Sequence, residues 1–330
     1  MTLNSKPFTP PPNPEFSQPK IRRIAQSALS LQQFAQNYQQ PGVPVIITGF
    51  LKPEWRWDLD YLCQQLGNQE FVLRYYGRER YQQDKRQWTT IGSGTPPQNK
   101  PFAEFAELLR QGIAHEQDIY LAKCPISNTP LQQTDAVQHI QANLRQLGLS
   151  KAASGLNLWV GAAGHQECLH YDPTDGTLIQ LYGRKRVILF PPSQTRNLYP
   201  FPVSVHLRHG MKLRSWFSQV YPEQPDLQAF PKFRHALSHW YDVILEQGEA
   251  LYIPVGWWHE VISLGDPTDM VCSLNQFWRV YPTRRALFSG LRWRAHLGSL
   301  CAVPHTLGQV GLALLSRNRQ QKLKAIRQML

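Results

Sequence analysis

His170-Tyr171-Asp172, answered 87 positions later (259 minus 172) by His259 in Leu251-Tyr-Ile-Pro-Val-Gly-Trp-Trp-His259-Glu-Val261, decides how the rest of this 330-residue chain is read. Two imidazoles and one carboxylate make the facial set that binds non-haem Fe(II) and keeps three coordination positions open. The spacing has a mechanical basis. Residues i and i+2 of a strand project to one face, so His170 and Asp172 can grip one ion together. His259 then has to come from a distant strand of a closed or sandwiched sheet. Taken alone, His-x-Asp is common on surface strands, where both groups are merely solvated or hydrogen-bonded. Its surroundings carry the reading.

From residue 156 the chain has the texture of short strands parted by turn residues, at 156–160, 168–172, 177–182, 185–190, 243–246, 250–254 and 270–278. Many short strands at roughly even spacing suggest a jelly roll or barrel. The N-terminal half mixes elements. Ser30 is a plausible N-cap for a short helix ending at Pro41-Gly42, and 45–48 is a β-branched strand closed by Gly49. A helix over 58–67 is capped by Asp58 and stopped by Gly67, and 71–76 is a second strand. Residues 101–114 carry a helical stripe of Phe102, Phe105, Ala106, Leu109 and Ile113, and 131–147 also reads as helix. The expected organisation is a proline-rich arm (1–20), an N-terminal α/β decoration (21–150), a core holding the metal site (151–280) and a basic amphipathic helical tail (281–330). Within the core, 201–240 is a long irregular insertion of the kind that packs over a jelly roll's mouth and binds substrate.

Downstream of His170 run Gly183-Arg-Lys185-Arg-Val-Ile-Leu-Phe-Pro-Pro192, Asn197-Leu-Tyr-Pro200, Glu246-Gln-Gly-Glu-Ala-Leu-Tyr-Ile-Pro254 and Trp257-Trp258-His259. This order resembles the JmjC and cupin-like family of Fe(II)/2-oxoglutarate-dependent oxygenases, and in particular its asparaginyl hydroxylase-like branch. The resemblance implies a mainly β fold with helical decoration, a double-stranded β-helix or cupin jelly roll. It implies Fe(II) and 2-oxoglutarate as cofactors, with His170, Asp172 and His259 as the catalytic metal ligands. Lys185 matches the family's cation for the far carboxylate of 2-oxoglutarate, and Tyr120 matches a tyrosine that hydrogen-bonds the same carboxylate. A buried tyrosine in a helix-to-strand connection is the plainer reading of Tyr120. A pocket asparagine corresponds to Asn275, or to Gln276 if Trp278 sets the register. Asn157 and Trp159 match a strand opening that is more structural than catalytic. Strand parity agrees on Lys185, which alternates onto the apolar face of Val187 and Leu189 while Arg184 and Arg186 read as solvated charges.

Two positions depart from the family pattern. Glu167 stands where related hydroxylases carry Thr or Ser against 2-oxoglutarate, and a carboxylate there repels the dianion unless it turns away or pairs with a base. Gly176 replaces an asparagine. Trp257 and Trp258, after the Pro254-Val-Gly256 turn, are expected to wall the metal from water. The other histidines show no ligand spacing with strand context and read as surface or internally satisfied. His165 and Glu167 lie close enough to the site only to support its ligands.

The net charge of +12 is uneven: ten Lys or Arg and no Asp or Glu follow Trp278, leaving 25 bases against 23 acids before it. A nucleic-acid binder would be basic throughout, so the tail reads as an attachment surface. Its leucines favour either a homodimer through the C-terminal helices or peripheral contact with an anionic membrane. Five cysteines with no Cys-x-x-Cys pair point to reduced thiols in a cytoplasm. No stretch is expected to reach the length of a transmembrane helix, and the N-terminus lacks a leader pattern. The expected function is hydroxylation of a protein side chain or other sizeable polar substrate. The competing expectation is a metal-binding cupin-like scaffold without oxygenase turnover.

Overall fold

Two β-sheets packed face to face form the centre of the computed structural model, which describes residues 20–92 and 94–329. In chain order the strands are β1 Arg22–Ala25, β2 Val45–Thr48, β3 Glu70–Tyr75, β4 Gln98–Pro101, β5 Ile119–Pro125, β6 Asn157–Ala162 and β7 Gln166–Tyr171. Then follow β8 Asp175–Tyr182, β9 Arg184–Phe190, β10 Tyr241–Leu245, β11 Ala250–Ile253, β12 Trp258–Leu264 and β13 Met270–Trp278. The larger sheet has the order β1-β2-β11-β8-β13-β6-β5-β3-β4, and the smaller β10-β9-β12-β7. This is the double-stranded jelly roll of a cupin, with the N-terminal strands extending the larger sheet at both edges. Residues 1–19 of the expected proline-rich arm lie outside the described residues.

Burial explains the layers. Behind the larger sheet, Phe102, Phe105 and Leu109 of the helix Phe102–Arg110 and Val137, Ile140 and Leu144 of the helix Asp135–Gln146 pack on Leu73, Leu121, Leu158, Ile179 and Leu274. Behind the smaller sheet, the 201–240 insertion contributes Phe201, Leu213, Phe230, Phe233 and Trp240 against Ile188, Phe190 and Trp258. Strand β9 shows the alternation that builds this: Ile188 and Phe190 face the insertion, whereas Val187 and Leu189 face Ile46, Leu251 and Ile253 of the other sheet.

The helix starts are as the sequence suggests. Ser30 and Gln33 form a reciprocal capping box, and the Asp58 side chain accepts from the Tyr61 amide. The stripe over 101–114 is not one helix. Gly112, left-handed at φ 74°, ends Phe102–Arg110 and restarts the chain as Ile113–Glu116. Four strands escape the sequence reading: β1, β4, β5 and β12. The last matters most because it carries His259.

Among the described residues the tail forms four helices, Thr283–Phe288, Gly290–Cys301, Val303–Leu314 and Arg319–Met329. It is pinned at its start: Arg285 makes a two-pronged ion pair with Asp175 at 3.0 Å, Arg294 donates to the Ser215 and Phe201 carbonyls, and Tyr171 Oη donates to the Leu291 carbonyl. Small residues, Ala295, Gly298, Ala302 and Ala313, face the body, while Trp293, Leu297, Leu300, Leu307, Leu314 and Leu315 face solvent. The segment Gly290–Leu314, 25 residues, is long and apolar enough to cross a membrane by length and composition. That corrects the expectation that no stretch reaches this length. The tail's bases lie at 279–294 and 317–327, so the stretch between them is more apolar than the tail as a whole.

Candidate metal centre and cosubstrate pocket

Strands β7 and β12 are antiparallel, and their register sets His170 directly opposite His259. The two rings lie 4.3 Å apart, centroid to centroid. Asp172 is one residue past the end of β7, a correction to the expected strand 168–172, and its carboxylate still reaches within 3.6 Å of His259 Nε2. The ligand atoms of His170, Asp172 and His259 all lie within 4.8 Å of one another.

The imidazoles are held in the form a metal needs. His170 Nδ1 lies 2.9 Å from the Cys168 carbonyl and His259 Nδ1 lies 3.0 Å from the Trp257 carbonyl. A carbonyl only accepts, so each ring carries its proton on Nδ1 and leaves Nε2 bare as a ligand. Burial, reinforced by the neighbouring His170, pushes His259 down to about 4, so it is neutral at physiological pH. Two imidazoles presenting Nε2 and a carboxylate converging on one point fit a divalent iron.

Walls are added by the insertion. The main chains of His170 and Phe217 form a β-bridge, and the Phe217 ring stacks on His170 at 4.9 Å and 13°. Trp216 and Arg214 line the same cavity. The tryptophans expected to shield the metal do something else. Trp257 Nε1 donates to the Gly42 carbonyl, and Trp258 packs on Tyr171 behind the smaller sheet. Parity explains the correction: His259 faces inward, so its neighbour Trp258 faces outward.

Across the cavity, Lys185 is buried and its Nζ donates to Tyr120 Oη at 3.2 Å. Burial pushes the amine down to about 8, with Cys272 and Glu167 partly opposing this. A buried ammonium whose one close partner is a neutral phenol is a strong receptor for a carboxylate. Tyr120 lies on β5, not in a helix-to-strand connection. It is held by a stack on His165 at 3.6 Å and 15°, and His165 Nδ1 is bound to Asp118 Oδ1 at 2.7 Å. Burial raises the Asp118 carboxyl, but His165, Tyr81 and Arg80 together hold it below its ordinary value. Opposite Tyr120 in the register, Gly161 has no side chain; a Cβ there would lie 2.1 Å from Tyr120 Cδ2. The glycine is the space the ring occupies.

Asn275 lines the cavity and accepts from Trp159 Nε1 at 2.9 Å, whereas Gln276 turns away to the Ser154 carbonyl. Geometry therefore selects Asn275 over Gln276, and Trp159 is a pocket wall as well as a strand opening. Glu167 and Gly176 also line the cavity. Arg186 is not the solvated charge expected of it: Asp242 of the adjacent β10 and Glu223 of the insertion both pair with it. Lys123 and Arg214 complete the cavity and were not singled out from sequence. Arg214 sits in an insertion without periodicity, and Lys123 looks like any surface lysine.

Residues 31–284 match the model of the family described as "Cupin-like domain". The chain belongs to this family, whose JmjC members are Fe(II)- and 2-oxoglutarate-dependent oxygenases. It is 31% identical over 258 residues to the lysine-specific demethylase JMJ30 of Arabidopsis thaliana, covering 76% of this chain and 53% of that protein. It is 30% identical over 252 residues to the Jumonji C domain-containing protein 5 of Drosophila melanogaster, covering 72% and 55%. It is 40% identical over 121 residues to HSPB1-associated protein 1 of Homo sapiens, covering 36% and 22%. The chain spans about half the length, or less, of the curated relatives it matches. The family's cofactors are Fe(II) and 2-oxoglutarate, and the residues of this cavity fit both.

Proposed function

We propose that this protein is an Fe(II)- and 2-oxoglutarate-dependent hydroxylase acting on a protein side chain or another sizeable polar substrate. One observation carries the reading: the His170, Asp172, His259 cluster and the Lys185–Tyr120 pair open into the same cavity. Bound together, iron and 2-oxoglutarate supply the oxidising power to insert oxygen into a C–H bond. The protein's part is to place groups. His170 and His259 present bare Nε2 atoms, Lys185 and Tyr120 offer charge and a hydrogen bond to the cosubstrate's far carboxylate, and Phe217 and Trp216 keep water off the ligands. The relatives' names bring lysine demethylation as a sister reaction, since oxidising an N-methyl C–H is the same insertion.

Glu167 favours a second reading, a metal-binding cupin-like module without turnover, because its carboxylate stands where a dianion would approach. Succinate release from 2-oxoglutarate, measured with Fe(II), ascorbate and purified protein, separates the two. Release dependent on Lys185 supports the hydroxylase, and tight metal binding with no 2-oxoglutarate binding supports the module.

For the tail, the reading is peripheral contact with an anionic membrane. The exposed stripe of Trp293, Leu297, Leu300, Leu307 and Leu315 needs a cover. A second copy would bring the same ten bases and no acids, whereas anionic lipid complements them. Five unpaired cysteines support a reducing, cytoplasmic setting.

A further inference from the structure

The cavity holds more positive charge than iron and 2-oxoglutarate call for. Lys185 serves the cosubstrate and Asp172 the metal; three ionisable side chains that line the cavity remain, Lys123, Arg214 and Glu167, with one positive charge in excess. The two bases lack the carboxylate partners that such groups usually find. Arg214 donates from Nε to the Met211 carbonyl at 3.3 Å and lies over Trp216, and Lys123 lies over the Phe277 ring at 5.8 Å. Neither makes an ion pair among the described residues. Burial holds both below their usual ranges, and for Lys123 the charge of Arg214 is the next cause.

The backbone enforces this arrangement. Lys123 sits at φ 55°, in the left-handed region, where the β5–β6 register slips between Leu121 and Cys124. A non-glycine residue in that conformation at a strand irregularity is costly, and such strain gathers where a side chain has to be aimed.

We propose that Lys123 and Arg214 form an anion-recognition subsite beside the iron, and that the group this enzyme oxidises belongs to an acidic substrate, with a carboxylate seated between the two bases. This rests on the hydroxylase reading and names its substrate class. It sets the chain apart from what its relatives' names describe, because a methylated lysine ammonium entering here would meet two bases and only one carboxylate. An aspartyl or glutamyl side chain of a peptide and a free dicarboxylic acid share the required chemistry.

The test uses full-length protein with Mn(II) in place of iron and 2-oxoglutarate bound, screened against a positional peptide library and against free malate and aspartate. Enrichment of Asp or Glu at one position is expected, with peptides at least tenfold tighter than their Asn or Gln counterparts and affinity falling with salt. Tighter binding of free acids than of any peptide assigns the subsite to a metabolite. Lys123→Met and Arg214→Met should each lose about tenfold in acid binding, and the double charge reversal, Lys123→Glu with Arg214→Glu, should invert the preference. No charge preference, or enrichment of lysine by the unaltered protein, overturns the proposal. Mn(II) and 2-oxoglutarate affinities measured on the same samples report separately on the hydroxylase reading.

Discussion

His170 and His259 are direct cross-strand neighbours on β7 and β12, and each is locked by a hydrogen bond to a carbonyl two residues back along the chain, Cys168 and Trp257. The candidate metal centre is therefore a property of one ladder, with Asp172 joining from the turn that follows it. Since the ladder's backbone pairing does not use the ligand side chains, the ligands can be altered one at a time.

Asp172→Ala should abolish stoichiometric Fe(II) or Mn(II) binding, a larger effect than the roughly 10–100-fold seen on losing a ligand's outer partner. The far-ultraviolet circular dichroism should not change. Calorimetric titration with Mn(II) checks this, and retained metal would place the site elsewhere.

Lys185→Ala should weaken 2-oxoglutarate binding by about 1.5–3 kcal/mol, the range for a hydrogen bond to a charged group. The unaltered protein should show a pH dependence with a definite sign. The ammonium that binds the carboxylate is present below about 8 and is lost as pH rises through that value, so affinity should fall on the alkaline side. In Lys185→Arg the alkaline fall should disappear, whatever the absolute affinity.

Gly161→Ala puts a methyl where the Tyr120 ring lies. It should cost about 1–3 kcal/mol of stability by overpacking and weaken 2-oxoglutarate while leaving Mn(II) affinity intact. Denaturant unfolding and paired titrations would reveal the split; an unmoved 2-oxoglutarate affinity would mean Tyr120 takes no part in binding it.

Asp118→Ala removes the buried hydrogen-bond partner of His165 beneath Tyr120 and should destabilise the fold by about 1–3 kcal/mol. A loss smaller than about 1 kcal/mol would show that His165 is held by the aromatic stack alone.

The tail test should avoid cutting the chain near Arg279, because that would strip Asp175, fully buried, of Arg285. Changing Leu307, Leu312, Leu314 and Leu315 to Gln leaves that anchor in place. The unaltered protein should co-sediment with phosphatidylserine vesicles in a salt-sensitive way, at about 1 kcal/mol per base near the surface, and the quadruple variant should not. A dimer in sedimentation velocity that the variant converts to a monomer, with no vesicle binding, would assign the stripe to self-association instead.

Much of this was legible in the sequence because iron ligation, strand parity and turn chemistry are local. Lys185 could be assigned an inward face from its alternation with Val187 and Leu189 alone. What stayed hidden depends on contacts between distant segments. Strand β12 buries a carboxylate, Glu260, between apolar neighbours, which blurs its period of two. Phe217 meets His170 only because the insertion folds back over the smaller sheet, and Lys123 enters the cavity only through a register slip. The Trp257–Trp258 pair misled because its aromatic bulk suggested a shield, while parity sends Trp258 behind the sheet.

The Arg285–Asp175 pair ties the first helix of the tail to the turn that presents Asp172. Asp175 Oδ1 also accepts from the Val255 amide, and the Gly256 amide donates to the Asp172 carbonyl. Three chain segments, the hinge before His259, the turn after His170 and the root of the tail, are thus spliced into one joint. Any load placed on the C-terminal helices would pull on that joint, so the tail and the candidate metal centre share a single mechanical linkage.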